Sequence, residues 1–283
     1  MVVLVDALPY KRPMMNNALS DKIRVIVINR AKDVDRRKVM TERLNALGLR
    51  HEFFEAVDGH SFNAHEAPEY DGRKRRLHFG RDLSSGEIGC LLSHRGVCQK
   101  MVAEDIPLAL VLEDDTFFKP DFPQVLESLL ATDVAWDMIR FLNWDKIFRG
   151  AHRVLGPLNP GYELARIQAT PGGAYAYLLT RHAAEEMVRH TERNWLPIDS
   201  LQGRGWQTGL NVLVTKPSPV AADFDVPSTI GEGRFEKKAT VTGLTRLVFP
   251  LFRFWFKCEN GLGKRFHYWL MSRKDAKSSN AGI

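Results

Sequence analysis

The sequence predicts an α/β fold built on an open, mainly parallel sheet flanked by helices. Three observations carry that expectation. Short runs of branched and apolar residues alternate with longer segments whose apolar residues recur at helical spacing. One run, "PLALVLE" (107–113), is apolar almost throughout, as a central parallel strand covered on both faces should be. The first helical segment is flanked by two strand-like runs, and a strand–helix–strand crossover favours parallel pairing.

The elements follow in order. Residues 1–21 carry no strong pattern, end in the polar "NNALSD" and read as a loose lead-in. "KIRVIVIN" (22–29) is a strand of branched residues. "DVDRRKVMTERLNALG" (33–48) has apolar residues at 34, 39, 40, 44 and 47, so it is a helix with Gly48 as C-terminal cap. "RHEFFEAVD" (50–58) is the second strand. Residues 60–82, with the basic "GRKRR" (72–76), read as a mobile loop. "LSSGEIGCLLSHRGVCQKMVAED" (83–105) is a helix opened by Ser84 with Glu87 three residues on, the pattern of a capping box. After the strand at 107–113 come a helix (122–130), a strand (136–143) and a long polar stretch containing Gly and Pro (145–165). "GGAYAYLLT" (172–180) is a strand whose Thr180 caps a helix over 181–192, and "LNVLVT" (210–215) is a late strand. No internal repeat appears. The organisation expected is a lead-in (1–21), one α/β domain (22–233) and a basic, aromatic-rich tail (234–283).

Composition supports a single sizeable core: 283 residues, 44% hydrophobic and 26% charged. Three cysteines are too few for a disulfide framework. The opening "MVVLVDALPY" lacks a basic start and meets Asp6 at once, so no signal peptide is read, and no apolar run approaches the ~20 residues of a membrane span. A reducing, cytoplasmic setting is expected. The net charge of +6 is uneven: from Arg234 onward 11 Lys/Arg face 3 Asp/Glu, a balance of +8, which leaves the first 233 residues at −2.

The run "LVLEDDTFF" (110–118) sets three acids, Glu113, Asp114 and Asp115, directly after the most apolar strand. Adjacent carboxylates repel and are costly when buried without a cation or strong donors. They either face water at a strand end or await a partner. Ligands of open α/β sheets bind beyond the carboxyl ends of the strands. Alternation sets Glu113 and Asp115 on one side and Asp114 on the other. A hard divalent cation, Mn²⁺ or Mg²⁺, would relieve the repulsion and bridge to a diphosphate.

Several blocks in order around these acids resemble glycosyltransferase family 25, the lipopolysaccharide and lipooligosaccharide sugar transferases. They are "VIVINRAKDVDRRKVMTERL", "FFEAVDG" (53–59), "LSSGEIGCLLSH" (83–94), "LALVLEDD" (108–115) and, more loosely, "GGAYAYLLTRHAAEEMV" (172–188) and "PID" (197–199). The resemblance spans about residues 22–230. It implies a GT-A type fold, a nucleotide-sugar donor with UDP-galactose first, an inverting transfer, and a DxD-like metal and diphosphate site at the acids. The chain carries E-D-D where a strict motif reads D-x-D. Which acid touches the metal is left open by that departure; Asp115 is the residue assigned to direct contact, Glu113 is a candidate second ligand, and Glu113 or Asp114 lies nearer ribose or metal-bound water. The acceptor implied is a lipid-linked or lipopolysaccharide-type glycan, at the cytoplasmic side of the inner membrane of a Gram-negative bacterium.

Inversion needs a base on the acceptor side. Asp199, in "LPIDSLQGRGW", is the candidate, unless it caps a short helix; Asp145, in "NWDK", is the reserve. Asn29 and Arg30 end the first strand, where a nucleotide base or ribose could sit, with Asn29 the better placed, whereas Arg36 and Arg37 read as a solvated helix face. Gly172 and Gly173 allow close backbone approach to a sugar, or form a tight turn. Trp206 stacks on an acceptor sugar or packs.

Cys90, His94 and Cys98 fall at i, i+4, i+8. At ~1.5 Å per residue Cys90 and Cys98 stand about 12 Å apart, beyond one ion with bonds of about 2.3 Å. Two of the three could share an ion only with outside ligands, and a core stripe is the simpler reading. His94 is also a candidate to face the donor cleft.

In the tail, "LTRLVFPLFRFWFKCENGLGKRFHYWL" (244–270) intersperses aromatics with Arg246, Arg253, Lys257, Lys264 and Arg265. Leu244, Leu247, Val248, Leu251 and Trp255 share one helical stripe, with a kink expected at Pro250. Residues 241–272 therefore read as an interfacial anchor to an anionic membrane, or else as a helix packed on the domain. A nucleic-acid partner is not expected, because the domain is slightly acidic and carries no such motif. The rival from another class is a non-catalytic nucleotide-sugar or lipid-binding protein on the same fold.

Overall fold

The computed structural model describes residues 17–143, 145–159, 161–222 and 240–281. In chain order the elements are α1 (Asn17–Ser20), β1 (Arg24–Asn29), α2 (Val34–Ala46), β2 (His51–Glu55), α3 (Gly72–Phe79), α4 (Ser85–Ala103), β3 (Leu108–Glu113), β4 (Thr116–Phe118), α5 (Phe122–Leu130), β5 (Met138–Arg140), β6 (His152–Leu158), β7 (Tyr162–Ile167), β8 (Ala176–Thr180), α6 (Arg181–His190), α7 (Ile198–Gln202), α8 (Gly205–Thr208), β9 (Val212–Lys216), β10 (Val220–Ala222) and α9 (Gly243–Ala281).

Eight strands form one sheet in the order β2-β1-β3-β8-β5-β9-β7-β6. β1 pairs in parallel with β2 and β3, and β5 with β9. β8 runs antiparallel between β3 and β5, and β7 antiparallel between β9 and β6. Six strands thus share a direction and two oppose it. The sheet is mixed, and reversal of β8 has a consequence for the site: its first residue, Ala176, pairs with Leu112 near the end of β3. The segment leading into β8 therefore arrives beside the three acids.

Alternate residues of the central strands feed two cores. Val25, Val27, Leu110 and Leu112 meet Met40 and Leu44 of α2 and Phe122, Val125 and Leu126 of α5. Ile26, Ala109, Val111 and Leu179 meet Leu91, Val97 and Met101 of α4 and Ala183 and Met187 of α6. Burial on both faces is why β1 and β3 read as nearly continuous apolar runs. The predicted caps form. Ser84 Oγ accepts the Glu87 amide and Glu87 Oε2 accepts the Ser84 amide, closing the capping box. Thr180 Oγ1 accepts the Ala183 amide, and Gly48 follows α2 at φ +70°.

Three expectations are corrected. The lead-in is not loose at its end, because Leu19 of α1 is buried in the core beside Ile23; residues 1–16 lie outside the described residues. The stretch 60–82 is not a loop throughout. It contains α3, capped by Asp71 accepting the Lys74 amide, and its Arg75 is buried. The polar stretch 145–165 holds a 3₁₀ turn (Asp145–Arg149) and the β6–β7 hairpin. Its period-2 signal was hidden by Gly156 and Pro157, which sit at a bulge and on the sheet edge. The boundary at 233/234 lies outside the described residues.

The tail is one continuous helix, α9, running through Pro250. One side docks on the domain. Phe256 meets Trp195 and Phe79, Gly263 abuts Trp206, and Asp275 forms a two-pronged ion pair with buried Arg166 (2.7 and 2.8 Å). Trp206 is thus a packing residue against α9. The other side stays exposed: Leu244, Leu247, Leu251 and Trp255 are each 70–75% accessible. Among the described residues no helix is long and apolar enough to cross a membrane.

Candidate active site

The acids lie at the carboxyl end of β3, and their surroundings separate their roles. Asp114 turns toward α2. Its Oδ2 accepts Asn29 Nδ2 at 2.7 Å and its Oδ1 accepts Arg36 Nη1 at 2.9 Å. Arg36 is therefore no solvated surface residue; the sequence could not show this, because β1–β3 pairing brings the two together from 78 positions apart. Asn29 is buried, and also donates to the Asp33 carbonyl. Arg30 pairs with Asp33 at 2.6 Å. Arg37 covers the Phe53 ring at 4.2 Å.

Glu113 turns the opposite way, toward α4. Its Oε1 is 3.2 Å from His94 Nε2, and His94 Nδ1 is 2.8 Å from the Tyr177 hydroxyl. His94 is 1% exposed, so it supports the acid from behind. Glu113 and Asp114 thus point to opposite sides, as strand alternation requires.

Asp115 differs from both. Its Oδ1 is buried without a hydrogen-bond partner. Burial, followed by the neighbouring charges of Glu113 and Asp114, pushes its carboxyl up to about 7, with Arg36 opposing. A buried carboxylate oxygen lacking a donor, beside a second carboxylate, fits the oxygen chemistry of a hard divalent cation.

The glycine segment reaches this edge because β8 is reversed. Gly173 has φ +101°, a conformation that favours glycine. A Cβ on Gly172 would stand 2.9 Å from Asp199 Oδ2. Asp199 Oδ2 accepts the Gly173 amide at 2.9 Å, and its Oδ1 accepts the Ser200 amide at 2.6 Å. Asp199 lies in the first turn of α7 and does not cap it; the N-cap is Pro197. Beneath the segment lies Arg140, a residue the sequence reading did not single out. It is 2% exposed and donates through Nη2 to the carbonyls of Gly173 (2.7 Å) and Pro171 (3.1 Å). A charged residue ending a short apolar strand was the available signal. Asp145 opens the 3₁₀ turn, but its side chain lies outside the described residues.

The structure therefore brings together Asn29, His94, Glu113, Asp114 and Asp115, and separately ties Gly172 and Gly173 to Asp199. Cys90 links the two groups, since it lies in the field of Glu113, Asp199, Glu87 and Asp115; burial first, then those charges, hold its thiol well above the ordinary range.

The acid cluster lies at the carboxyl edge of an α/β sheet, the edge at which open sheets of this kind commonly take their ligands, and the segment leading into β8 arrives beside it. The chain matches the family model described as glycosyltransferase family 25 (LPS biosynthesis protein) over residues 22–202, and it belongs to that family. Similar proteins include the inactive glycosyltransferase 25 family member 3 of Mus musculus, 32% identical over 54% of this chain and 26% of its own length. A glycosyltransferase 25 family member of Anopheles gambiae is 30% identical over 62% and 30%. Procollagen galactosyltransferase 1 of Danio rerio is 28% identical over 62% and 30%. The chain thus spans under a third of the length of these three relatives.

Proposed function

We propose that this chain is a divalent-cation-dependent, inverting glycosyltransferase with a GT-A type fold. It would move a sugar from a UDP-sugar, galactose first, to a lipid-linked or lipopolysaccharide-type glycan. The observation that carries this reading is the buried, partnerless Asp115 Oδ1 at the end of β3. Asp115 and Glu113 would hold Mn²⁺ or Mg²⁺, whose charge would assist departure of the nucleoside diphosphate. Asn29 and Arg36 fix Asp114 in its place, and Arg30 lies at the same strand end for the nucleoside. Arg140 and Asp199 hold the Gly172–Gly173 backbone close to the reacting sugar. Asp199 is the proposed base for the acceptor hydroxyl, with Asp145 in reserve.

The exposed stripe of α9 supports a peripheral membrane setting. Leu247, Leu251, Phe254 and Trp255 are accessible alongside exposed Arg246, Lys257 and Arg265, the composition of a helix lying in an anionic interface. Such a position, on the cytoplasmic side of the inner membrane, would present a lipid-linked acceptor to the cleft.

A second reading is a non-catalytic nucleotide-sugar-binding protein on the same scaffold, favoured by the relatives named inactive. A transfer screen separates the two. UDP-sugars, Mn²⁺ and lipooligosaccharide-type acceptors are incubated with the protein, and products are read by mass spectrometry. Product from wild type and none from Asp115→Ala supports the enzyme. Mn²⁺-linked UDP binding without transfer or hydrolysis of any sugar donor supports the binding protein.

A further inference from the structure

We propose that Cys90, His94 and Glu113 form a second cation site, selective for zinc-class ions, that shares Glu113 with the hard-cation site proposed at Asp115. Their ligand atoms, one from each side chain, all lie within 4.8 Å of one another. A tetrahedral ion with bonds of about 2.0–2.3 Å sets its ligands roughly 3.3–3.8 Å apart. His94 Nε2 and Glu113 Oε1, at 3.2 Å, are close to that spacing, and the Cys90 thiol lies within 4.8 Å of both side chains' ligand atoms.

The fold prepares the geometry. Cys90 and His94 are one helical turn apart on α4, and Glu113 reaches them from the end of β3. Gly89 fixes the start of α4 against the chain, since a Cβ there would stand 2.7 Å from Gly59 N and Val57 O. Tyr177 OH sits 2.8 Å from His94 Nδ1. With that nitrogen donating to the phenol, Nε2 is left free to bind an ion, the outer-shell arrangement that orients imidazole ligands. One thiolate, one neutral imidazole and one carboxylate balance the charge of a divalent ion. The thiolate and imidazole favour zinc over the hard ions suited to Asp115. Cys98, buried among Val97 and Met101 in the core under α4, takes no part.

Binding would transfer the Cys90 proton to solvent and form a sulfur–metal bond, with no oxidation. The fourth position is left for water. Because Glu113 belongs to both sites, an ion here would draw it away from Asp115.

Cobalt(II) is the probe. Metal-free protein is titrated with Co²⁺ and then with Zn²⁺, with no donor or acceptor present, so the result does not depend on glycosyl transfer. The expected result is a thiolate-to-cobalt charge-transfer band saturating at one equivalent and displaced by zinc. The band should persist in Asp115→Asn and Cys258→Ser, vanish in Cys90→Ser, and need at least tenfold more cobalt in Glu113→Gln. Independently of any variant, Zn²⁺ should slow alkylation of Cys90 in wild type but leave Cys258 unaffected. No charge-transfer band in wild type, a band undiminished in folded Cys90→Ser, or Cys90 alkylation indifferent to zinc would each overturn the site.

Discussion

Asn29 Nδ2 donates to Asp114 Oδ2 at 2.7 Å, and this bond sets Asp114 apart from the other two acids of the triplet. Held by Asn29 from β1 and by Arg36 from α2, Asp114 is already neutralised. Glu113 leans on His94, and Asp115 keeps a buried oxygen with no donor.

Arg36→Ala should weaken Mn²⁺ binding. Arg36 opposes the rise of the Asp115 carboxyl, so its loss leaves that acid protonated to higher pH. A three- to tenfold loss of affinity at neutral pH, on the order of 1 kcal/mol, is expected by direct Mn²⁺ titration. Unchanged affinity would show that Arg36 serves Asp114 alone.

Metal affinity should depend on pH through Asp115. Its carboxyl rises to about 7 from 3.8, so the folded protein holds a proton that the unfolded chain has released between those values. Two signs follow. Without metal, the ionised group costs stability above about pH 7, and that cost is relieved as pH falls toward 4. With metal, proton and ion compete, so apparent affinity should fall about tenfold per unit below pH 7 and level off above it. Asp115→Asn should flatten the first dependence and remove the second. A pH-independent affinity from 5.5 to 8 would contradict the assignment.

Asp199 braces Gly173 and is also the proposed base, and two variants separate the roles. Asn keeps an oxygen for the Gly173 amide, so Asp199→Asn should leave UDP affinity within about threefold while turnover falls 10²-fold or more. Asp199→Ala should in addition loosen the glycine segment, costing about 1–2 kcal/mol of stability. Near-normal turnover in the Asn variant would remove Asp199 as base.

Deleting α9 is a poor test of membrane binding, because it strands the buried Arg166 that Asp275 neutralises. Leu247→Glu with Leu251→Glu changes only the exposed stripe. This pair should release the protein from anionic liposomes at ~0.15 M salt without altering its melting temperature. Retained co-sedimentation would mean the stripe does not face lipid.

Local chemistry made much of the fold legible. The capping box at Ser84 and Glu87, the Thr180 cap and the apolar run of β3 each need only neighbouring residues, and each formed. What was missed is long-range or masked by polarity. α3 is rich in arginine yet buries Arg75, and β6–β7 carries Gly156 and Pro157 within an edge hairpin. In the site, the acids announced themselves by adjacency. Pairing of Arg36 with Asp114, and the seat of Arg140 under Gly173, arise only from strand order. The reversal of β8, which brings the glycine segment to the acids, leaves no mark in a single strand's composition.

The most direct test is calorimetric titration of UDP with Mn²⁺ and with EDTA, on wild type and Asp115→Ala. UDP should bind wild type with Mn²⁺, and that binding should be lost in EDTA and lost in the variant. Equal UDP affinity with and without metal, or in both proteins, would contradict a cation held at Asp115.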